Sequence, residues 1–123
     1  MCGIYGTTLK YNESQVIDKL KRTAFRGPDK MGWQFYDQKK QQIIFGHNRL
    51  SIIDLDPRSN QPFTYYEHIH IVFNGEVYNF KSIRTELEKL GYKFVSESDT
   101  EVILYAYKAW GMKAVEKFIG MFA

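Results

Sequence analysis

The protein has 123 residues, of which 44% are hydrophobic and 25% charged, and this length and composition predict one globular domain. Its 17 basic and 14 acidic side chains give a net charge of +3 and are mixed along the chain, which argues against nucleic-acid binding. No apolar run approaches the ~20 residues of a membrane span, so no membrane partner is expected.

The first half of the chain predicts one helix among short strands. Residues 3–8 form a short apolar strand, and residues 12–23 form a helix with Val16, Ile17 and Leu20 on one face. Adjacent Gly and Pro place residues 26–29 in a loop. Strands at 33–36 and 43–45 follow, separated by a polar turn at 38–41. The apolar run 50–53 then ends in turn-forming residues at 54–57.

The second half predicts a strand at 68–73 and then two longer helices. Asn79 is expected to cap a helix that Gly91 ends, and its apolar positions are Phe80, Ile83, Leu87 and Leu90. Ser98 and Glu101 match a capping box that opens a helix to Trp110, and residues 114–118 predict a short third helix. The pattern predicts an α+β fold with antiparallel strands. The apolar residues 120–123 are expected to begin a further element that is cut off.

Cys2 is the only cysteine, which excludes an internal disulfide, and the segment around it does not match a signal peptide. A cytoplasmic location, where the thiol stays reduced, is therefore expected. If Met1 is removed, Cys2 carries a thiol and a free α-amine on one residue, and that amine can serve as the general base for the thiol. The alternative is that a lone cysteine is a small buried apolar side chain.

Five motifs together resemble one protein family. They are Met1-Cys2-Gly3-Ile4, Arg26-Gly27-Pro28-Asp29, residues 47–54 (HNRLSIID), residues 74–79 (NGEVYN) and residues 98–104 (SDTEVIL). In their order and spacing they closely resemble the glutamine-hydrolysing domain of class II, N-terminal-nucleophile glutamine amidotransferases. The third and fourth motifs are similar to those of asparagine synthetases.

The resemblance spans residues 1–123 and implies the front part of a type-2 glutamine amidotransferase domain. The implied fold is an antiparallel β-sandwich flanked by helices, incomplete at its C-terminal end. Residues 1–123 carry neither a Ser-Gly-Gly-x-Asp-Ser nor a Gly-x-x-x-x-Gly-Lys loop, so no synthetase domain is expected within them. ATP and magnesium are therefore expected only in a synthetase domain or subunit, which is the implied partner, and no cofactor or metal is expected in this chain.

The implied reaction is hydrolysis of L-glutamine to glutamate and ammonia, which supplies ammonia for asparagine synthesis. The resemblance makes Cys2 the nucleophile, with its α-amine as proton shuttle. It places the oxyanion hole at the Asn74 side-chain amide and the Gly75 backbone N–H. From the residues alone, Asn-Gly after an alternating strand also fits a tight hairpin turn, although the helix predicted from Asn79 leaves little room for a returning strand.

The resemblance also implies the residues that bind glutamine. Arg49 matches the clamp on the substrate carboxylate, a group that guanidinium can bind with two parallel hydrogen bonds. Asp99 matches the acceptor of the α-ammonium group, with Glu76 nearby. From the residues alone, Arg49 fits an ordinary surface arginine, and Asp99 fits an acid stabilised by a helix dipole. The backbone that is expected to line the same side of the pocket comprises Leu50, Ser51, Ile52 and Ile53.

A histidine is the alternative to the α-amine as the general base for Cys2. His70 lies four residues before Asn74 on the predicted strand, about 13 Å away, which is too far for proton transfer. His47 stays open as a base or a structural residue, and Phe25 stands where the family has His before Arg-Gly-Pro. Two other functions stay open: a non-catalytic module that binds glutamine or another protein, and an amidase for a different amide.

Overall fold

The computed structural model of the protein describes residues 1–38, 40–51, 59–65 and 68–123. These residues form helices and antiparallel strands, which confirms the predicted α+β class. Short 3-10 segments lie at Ala24–Arg26 and Gly111–Lys117. The main elements in chain order are β1 (Gly3–Thr7), α1 (Glu13–Lys21), β2 (Lys30–Gln38), β3 (Gln41–Arg49), β4 (Phe63–Tyr65), β5 (Ile69–Ile71), β6 (Gly75–Val77), α2 (Phe80–Lys89), α3 (Asp99–Trp110) and β7 (Gly120–Phe122).

One sheet, in the order β1-β3-β2, places the N-terminus beside the end of β3. Gly3 pairs with Asn48, and Lys30 pairs with Arg49 in the β2–β3 hairpin. The strands predicted at 33–36 and 43–45 are therefore too short. Backbone pairing continues through polar positions such as Asp37 and Gln42, because one face of an antiparallel sheet can be solvated.

Two small antiparallel sheets complete the described strands. β4 pairs with β5, and β6 pairs with β7. The strand predicted at 68–73 is too long, since β5 ends at Ile71. Gly75 pairs with Phe122 far along the chain, so Asn74 and Gly75 do not form the local hairpin turn that was the alternative interpretation.

The buried side chains form two clusters. Val16 and Leu20 of α1 pack on Ile44 of β3, beside partly buried aromatic residues of β1 and β2. The other cluster joins α2, α3 and the chain around β6, with Ile83 and Leu87 buried as predicted. Its buried members are Phe73, Val77, Ile83, Leu87, Val102, Tyr105, Ala106 and Ala114. Leu90, predicted as the last apolar position of this helix, follows the end of α2 as its C-cap and is exposed.

The helix ends follow the predictions in part. Asn12 caps α1, with Gln15 completing a capping box, and the Ser98 hydroxyl accepts the Thr100 N–H at the start of α3. Asn79 precedes α2 but makes no side-chain cap; its amide instead donates to the Lys117 carbonyl and accepts from the Ile119 N–H. The backbone of Asn79 is not extended, the conformation in which N-cap side chains reach the helix.

The capping box expected at Ser98 and Glu101 is also incomplete. The Glu101 carboxylate accepts from the Val95 N–H and from both the N–H and hydroxyl of Ser96, which lie in the preceding loop. The helix predicted at 114–118 overlaps the 3-10 segment Gly111–Lys117, and Phe118 lies just beyond that segment with an extended backbone. The predicted turn at 54–57 lies outside the described residues, as does part of the turn at 38–41. Among the helices that the structure describes, none is long and apolar enough to cross a bilayer.

Candidate active site

A cavity of about 160 Å³ lies where β1, β3, β6 and the start of α3 meet. Seven of the ten residues predicted to form the site line it: Cys2, Arg49, Leu50, Asn74, Gly75, Glu76 and Asp99. Ser51 is half-buried beside the cavity but is not part of its wall. Ile52 and Ile53 lie outside the described residues. Long-range pairing thus brings together side chains from four separate segments of the sequence.

Cys2 is held between the end of β3 and the loop that precedes β2. The Leu50 N–H donates to the Cys2 Sγ over 3.3 Å, and the Leu50 carbonyl oxygen lies 3.7 Å from the same sulfur. Arg26 Nε donates to the Cys2 carbonyl over 3.2 Å. These contacts follow from the β1–β3 register, which puts residue 2 beside residues 49 and 50. Met1 lines the cavity next to Cys2, so its removal enlarges the space around the thiol.

Asn74 and Gly75 form the wall contributed by β6. The Asn74 N–H donates to the Ala123 carbonyl and the Ala123 N–H donates to the Asn74 carbonyl, both over 2.9 Å. Gly75 has φ of +147°, and a Cβ at this position would collide with the Met121 carbonyl. The position therefore requires glycine. The Asn74 Oδ1 is buried with no hydrogen-bond partner among the described residues.

Arg49 ends β3 and is almost fully buried in the cavity wall, which excludes the alternative of an ordinary surface arginine. Its Nη1 donates to the Asn60 Oδ1 over 2.7 Å. The neighbouring backbone is fixed by Asp29: the Asp29 N–H donates to the Arg49 carbonyl, and the Ser51 N–H donates to the Asp29 carboxylate over 2.7 Å. The predicted loop at 26–29 therefore supports the segment that carries Arg49.

Asp99 begins α3 and is 5% exposed. Its Oδ2 accepts the Val77 N–H over 3.1 Å, which anchors the carboxylate to β6. Burial raises the pKa of Asp99, and the nearby Glu76 carboxylate adds to the rise, whereas the N–H groups of Val77 and Thr100 oppose it. The cavity thus presents a cation, Arg49, and a carboxylate region at Asp99 and Glu76.

His47 lies on the same face of β3 as Arg49 and is 1% exposed. Its Nε2 is 3.2 Å from the Phe73 carbonyl, which can only accept, so Nε2 carries the proton and donates. Burial, with a smaller effect of the Arg49 charge, lowers the pKa of His47 to about 4, although the hydrogen bond to Phe73 opposes the change. The imidazole is neutral near pH 7, and its Nε2 is occupied as a donor. His70 lies away from the cavity, with Nδ1 3.0 Å from Thr64 Oγ1.

Gln61 also lines the cavity, and it was not predicted as a site residue from the sequence. Its Oε1 accepts the Phe73 N–H over 2.6 Å, and its Nε2 is 3.4 Å from the Thr100 Oγ1. A lone glutamine before a proline carries no sequence pattern that indicates a site. Phe25 is 80% exposed and does not line the cavity. Over the part of the chain that the structure describes, no group of three or more His, Cys, Asp or Glu side chains could hold a metal ion.

The family model of the glutamine amidotransferase domain matches residues 1–123. The chain therefore belongs to the glutamine amidotransferase domain family. It is 40% identical over 131 aligned residues to glutamine-hydrolyzing asparagine synthetase 1 of Bacillus subtilis. This alignment covers 100% of this chain and 20% of that protein.

Two further relatives show the range of proteins that carry this domain. Asparagine synthetase 3 of Arabidopsis thaliana, also named as glutamine-hydrolyzing, is 34% identical over 130 residues, covering 100% of this chain and 21% of that protein. Amidase chry2 of Gibberella zeae is 38% identical over 120 residues, covering 94% of this chain and 17% of that protein. The chain spans about one fifth of the length of the curated relatives that it matches.

Proposed function

We propose that this domain hydrolyses L-glutamine to glutamate and ammonia, with Cys2 as the nucleophile after Met1 is removed. One observation carries the proposal: the thiol, the Asn74–Gly75 pair, Arg49 and Asp99 surround a single cavity. Acyl transfer needs a nucleophile, a base, donors for the oxyanion and anchors for the rest of the substrate, and these residue types can supply each of them.

The reaction begins when the Cys2 α-amine takes the thiol proton and the sulfur attacks the side-chain amide carbon of glutamine. The Asn74 Nδ2 and the Gly75 N–H donate to the oxygen that becomes negative in the tetrahedral intermediate. The protonated α-amine then gives its proton to the leaving nitrogen, the C–N bond breaks, and ammonia leaves a glutamyl thioester. Water attacks the thioester, which frees glutamate and restores the thiol.

The substrate is an α-amino acid because the cavity carries charges of both signs. Arg49 binds the α-carboxylate, and Asp99, with Glu76 beside it, accepts from the α-ammonium group. The two anchors come from separate elements, the end of β3 and the start of α3. An amide that lacks the amino-acid head group would make neither of these charge-assisted hydrogen bonds, which are about twice as strong as neutral ones. This favours glutamine over a simple amide.

The relatives named as glutamine-hydrolyzing asparagine synthetases support a further step of the proposal. The ammonia passes to a synthetase domain or subunit, where it serves asparagine synthesis in the cytoplasm. The strands β1–β7 belong to an antiparallel sandwich of the N-terminal-nucleophile type, and the nucleophile Cys2 directly precedes the first strand.

The test is release of glutamate from glutamine by protein whose mass confirms the loss of Met1. We expect release by the wild type and nearly none by Cys2→Ala or Cys2→Ser, with thermal unfolding showing that the variants are folded. Protein that retains Met1 serves as a matched control: its thiol is intact but its α-amine has become an amide, so it should be inactive. Turnover that survives in Cys2→Ala would point to another nucleophile and overturn the proposal.

A further inference from the structure

The backbone N–H and carbonyl of Phe73, the residue before Asn74, are held by two side chains from distant parts of the chain. The Phe73 N–H donates to the Gln61 Oε1 over 2.6 Å, and the Phe73 carbonyl accepts from the His47 Nε2, 3.2 Å away. Asn74 itself is fixed by its two backbone hydrogen bonds to Ala123. Both backbone groups of Phe73 are thus satisfied by side chains, and those of Asn74 by backbone.

Side chains are needed here because residue 73 belongs to no strand. β5 ends at Ile71 and β6 begins at Gly75. Phe73 is 6% exposed, so its N–H and carbonyl lie away from water and need partners inside the protein. The carbonyl belongs to the peptide that links Phe73 to Asn74, so its bond to His47 limits the rotation of that peptide directly. The Cα of Asn74 is part of that peptide plane, so the direction of its side chain depends on this rotation. The N–H belongs to the preceding peptide, so its bond to Gln61 fixes the other side of Phe73.

Each of the two side chains is itself fixed in one orientation. The Gln61 amide has its Nε2 near the Thr100 Oγ1, so its Oε1 is the end that faces Phe73. His47 can donate from Nε2 only while that nitrogen is protonated, and the neighbouring charge of Arg49 disfavours a second proton on the ring. The imidazole therefore stays a neutral donor to Phe73 at the pH where the domain works.

We propose that His47 and Gln61 are positioning residues for the oxyanion hole, which they align through the backbone of Phe73. This inference rests on the proposed function, because it assigns the Asn74 amide and the Gly75 N–H to the oxyanion. Neither residue is a base or a substrate anchor. Their removal disturbs the donors to the transition state and leaves Arg49 and Asp99 in place.

The kinetic test uses Gln61→Met and His47→Met, which remove the hydrogen-bonding groups at similar volume, and His47→Gln, which keeps a donor near the Nε2 position. We expect each Met variant to lower kcat about 10-fold to 100-fold, short of the ~10²–10³ for complete loss of an oxyanion donor. KM for glutamine should change by less than about twofold, and His47→Gln should recover most of kcat. The double Met variant should lose less than the product of the single losses, since both side chains hold the backbone of the same residue, Phe73.

The pH–rate profile separates positioning from acid–base catalysis. If His47 only positions Phe73, the profile of His47→Gln should keep the shape of the wild-type profile. If His47 were the general base, the acidic limb of the profile would disappear in that variant. The inference would be overturned by a changed acidic limb in the pH–rate profile of His47→Gln. It would also be overturned by an unchanged kcat in both Met variants, or by a rise in KM with kcat unchanged.

A second measurement does not depend on activity. Hydrogen exchange of the Phe73 amide should be at least 10-fold faster in Gln61→Met than in the wild type, with the amide of Val102 in the α3 core unchanged as a control. Unchanged exchange at Phe73 would overturn the inference even if glutamine is turned over. Faster exchange in a protein that releases no glutamate would instead show that the support is real and that the proposed function fails.

Discussion

Because His47 is buried and neutral, it makes the free energy of unfolding of the domain depend on pH. Substituting His47 should remove this contribution to the pH dependence. Its pKa is about 4 in the folded protein, against 6.5 in an unfolded chain. Between these values the unfolded chain binds the proton and the folded chain does not, so the free energy of unfolding falls as the pH falls from 6.5 to 4. Since one pKa unit corresponds to about 1.4 kcal/mol, the cost between pH 7.5 and pH 4.5 is about 3 kcal/mol.

The perturbation is His47→Gln, which keeps a donor for Phe73 and cannot titrate. Urea unfolding, followed by the fluorescence of Trp33 and Trp110, gives the free energy of unfolding of both proteins at the two pH values. We expect the wild type to lose about 3 kcal/mol more than the variant between pH 7.5 and pH 4.5. The carboxylates and the other histidines titrate in both proteins, so the comparison isolates His47. Equal losses in the two proteins would refute the assignment of a buried neutral imidazole.

Two further predictions concern buried carboxylates. Glu101→Ala leaves the Val95 and Ser96 donors without their acceptor and should lower the free energy of unfolding by about 3 kcal/mol, whereas exposed Glu116→Ala should change it by less than about 0.5 kcal/mol. Urea unfolding at neutral pH measures the free energy of unfolding of both variants. If Glu101→Ala lowered it as little as Glu116→Ala, Glu101 would not be the acceptor that stabilises the Val95 and Ser96 donors. Because burial raises the pKa of Asp99, KM for glutamine should rise as the pH falls, and the rise should begin at a higher pH than for an exposed aspartate. In steady-state kinetics, Asp99→Asn should show a high KM at every pH; a parallel pH dependence in the variant would remove Asp99 from the substrate site.

Local patterns in the sequence predicted the elements whose hydrogen bonds close within a few residues. The end of α2 near Gly91 and the start of α3 at Ser98 both depend on groups one to four positions away. The buried positions Ile83 and Leu87 follow from helical spacing alone. The motifs around Cys2, Arg49, Asn74 and Asp99 also named the residues that line the cavity, through their resemblance to a family rather than through their spacing.

Where a distant hydrogen-bond partner competes with a local one, the tertiary structure decided which of the two bonds forms. The Asn79 amide bonds to Lys117 and Ile119 instead of capping α2, and the Glu101 carboxylate bonds to the loop before Ser98. Asn74 and Gly75 pair with the segment around β7 and not with a neighbouring strand, because only Gly75 allows that close approach.

The sequence by itself determined the α+β class, the helices and seven residues that line the cavity, since these follow from short-range hydrogen bonds, periodicity and motifs. The tertiary structure alone decided the β1-β3-β2 order that puts Cys2 beside Leu50, and the support of Phe73 by His47 and Gln61. These contacts join residues 12 to 48 positions apart. Whether such groups meet depends on how whole elements pack, and no local pattern records that.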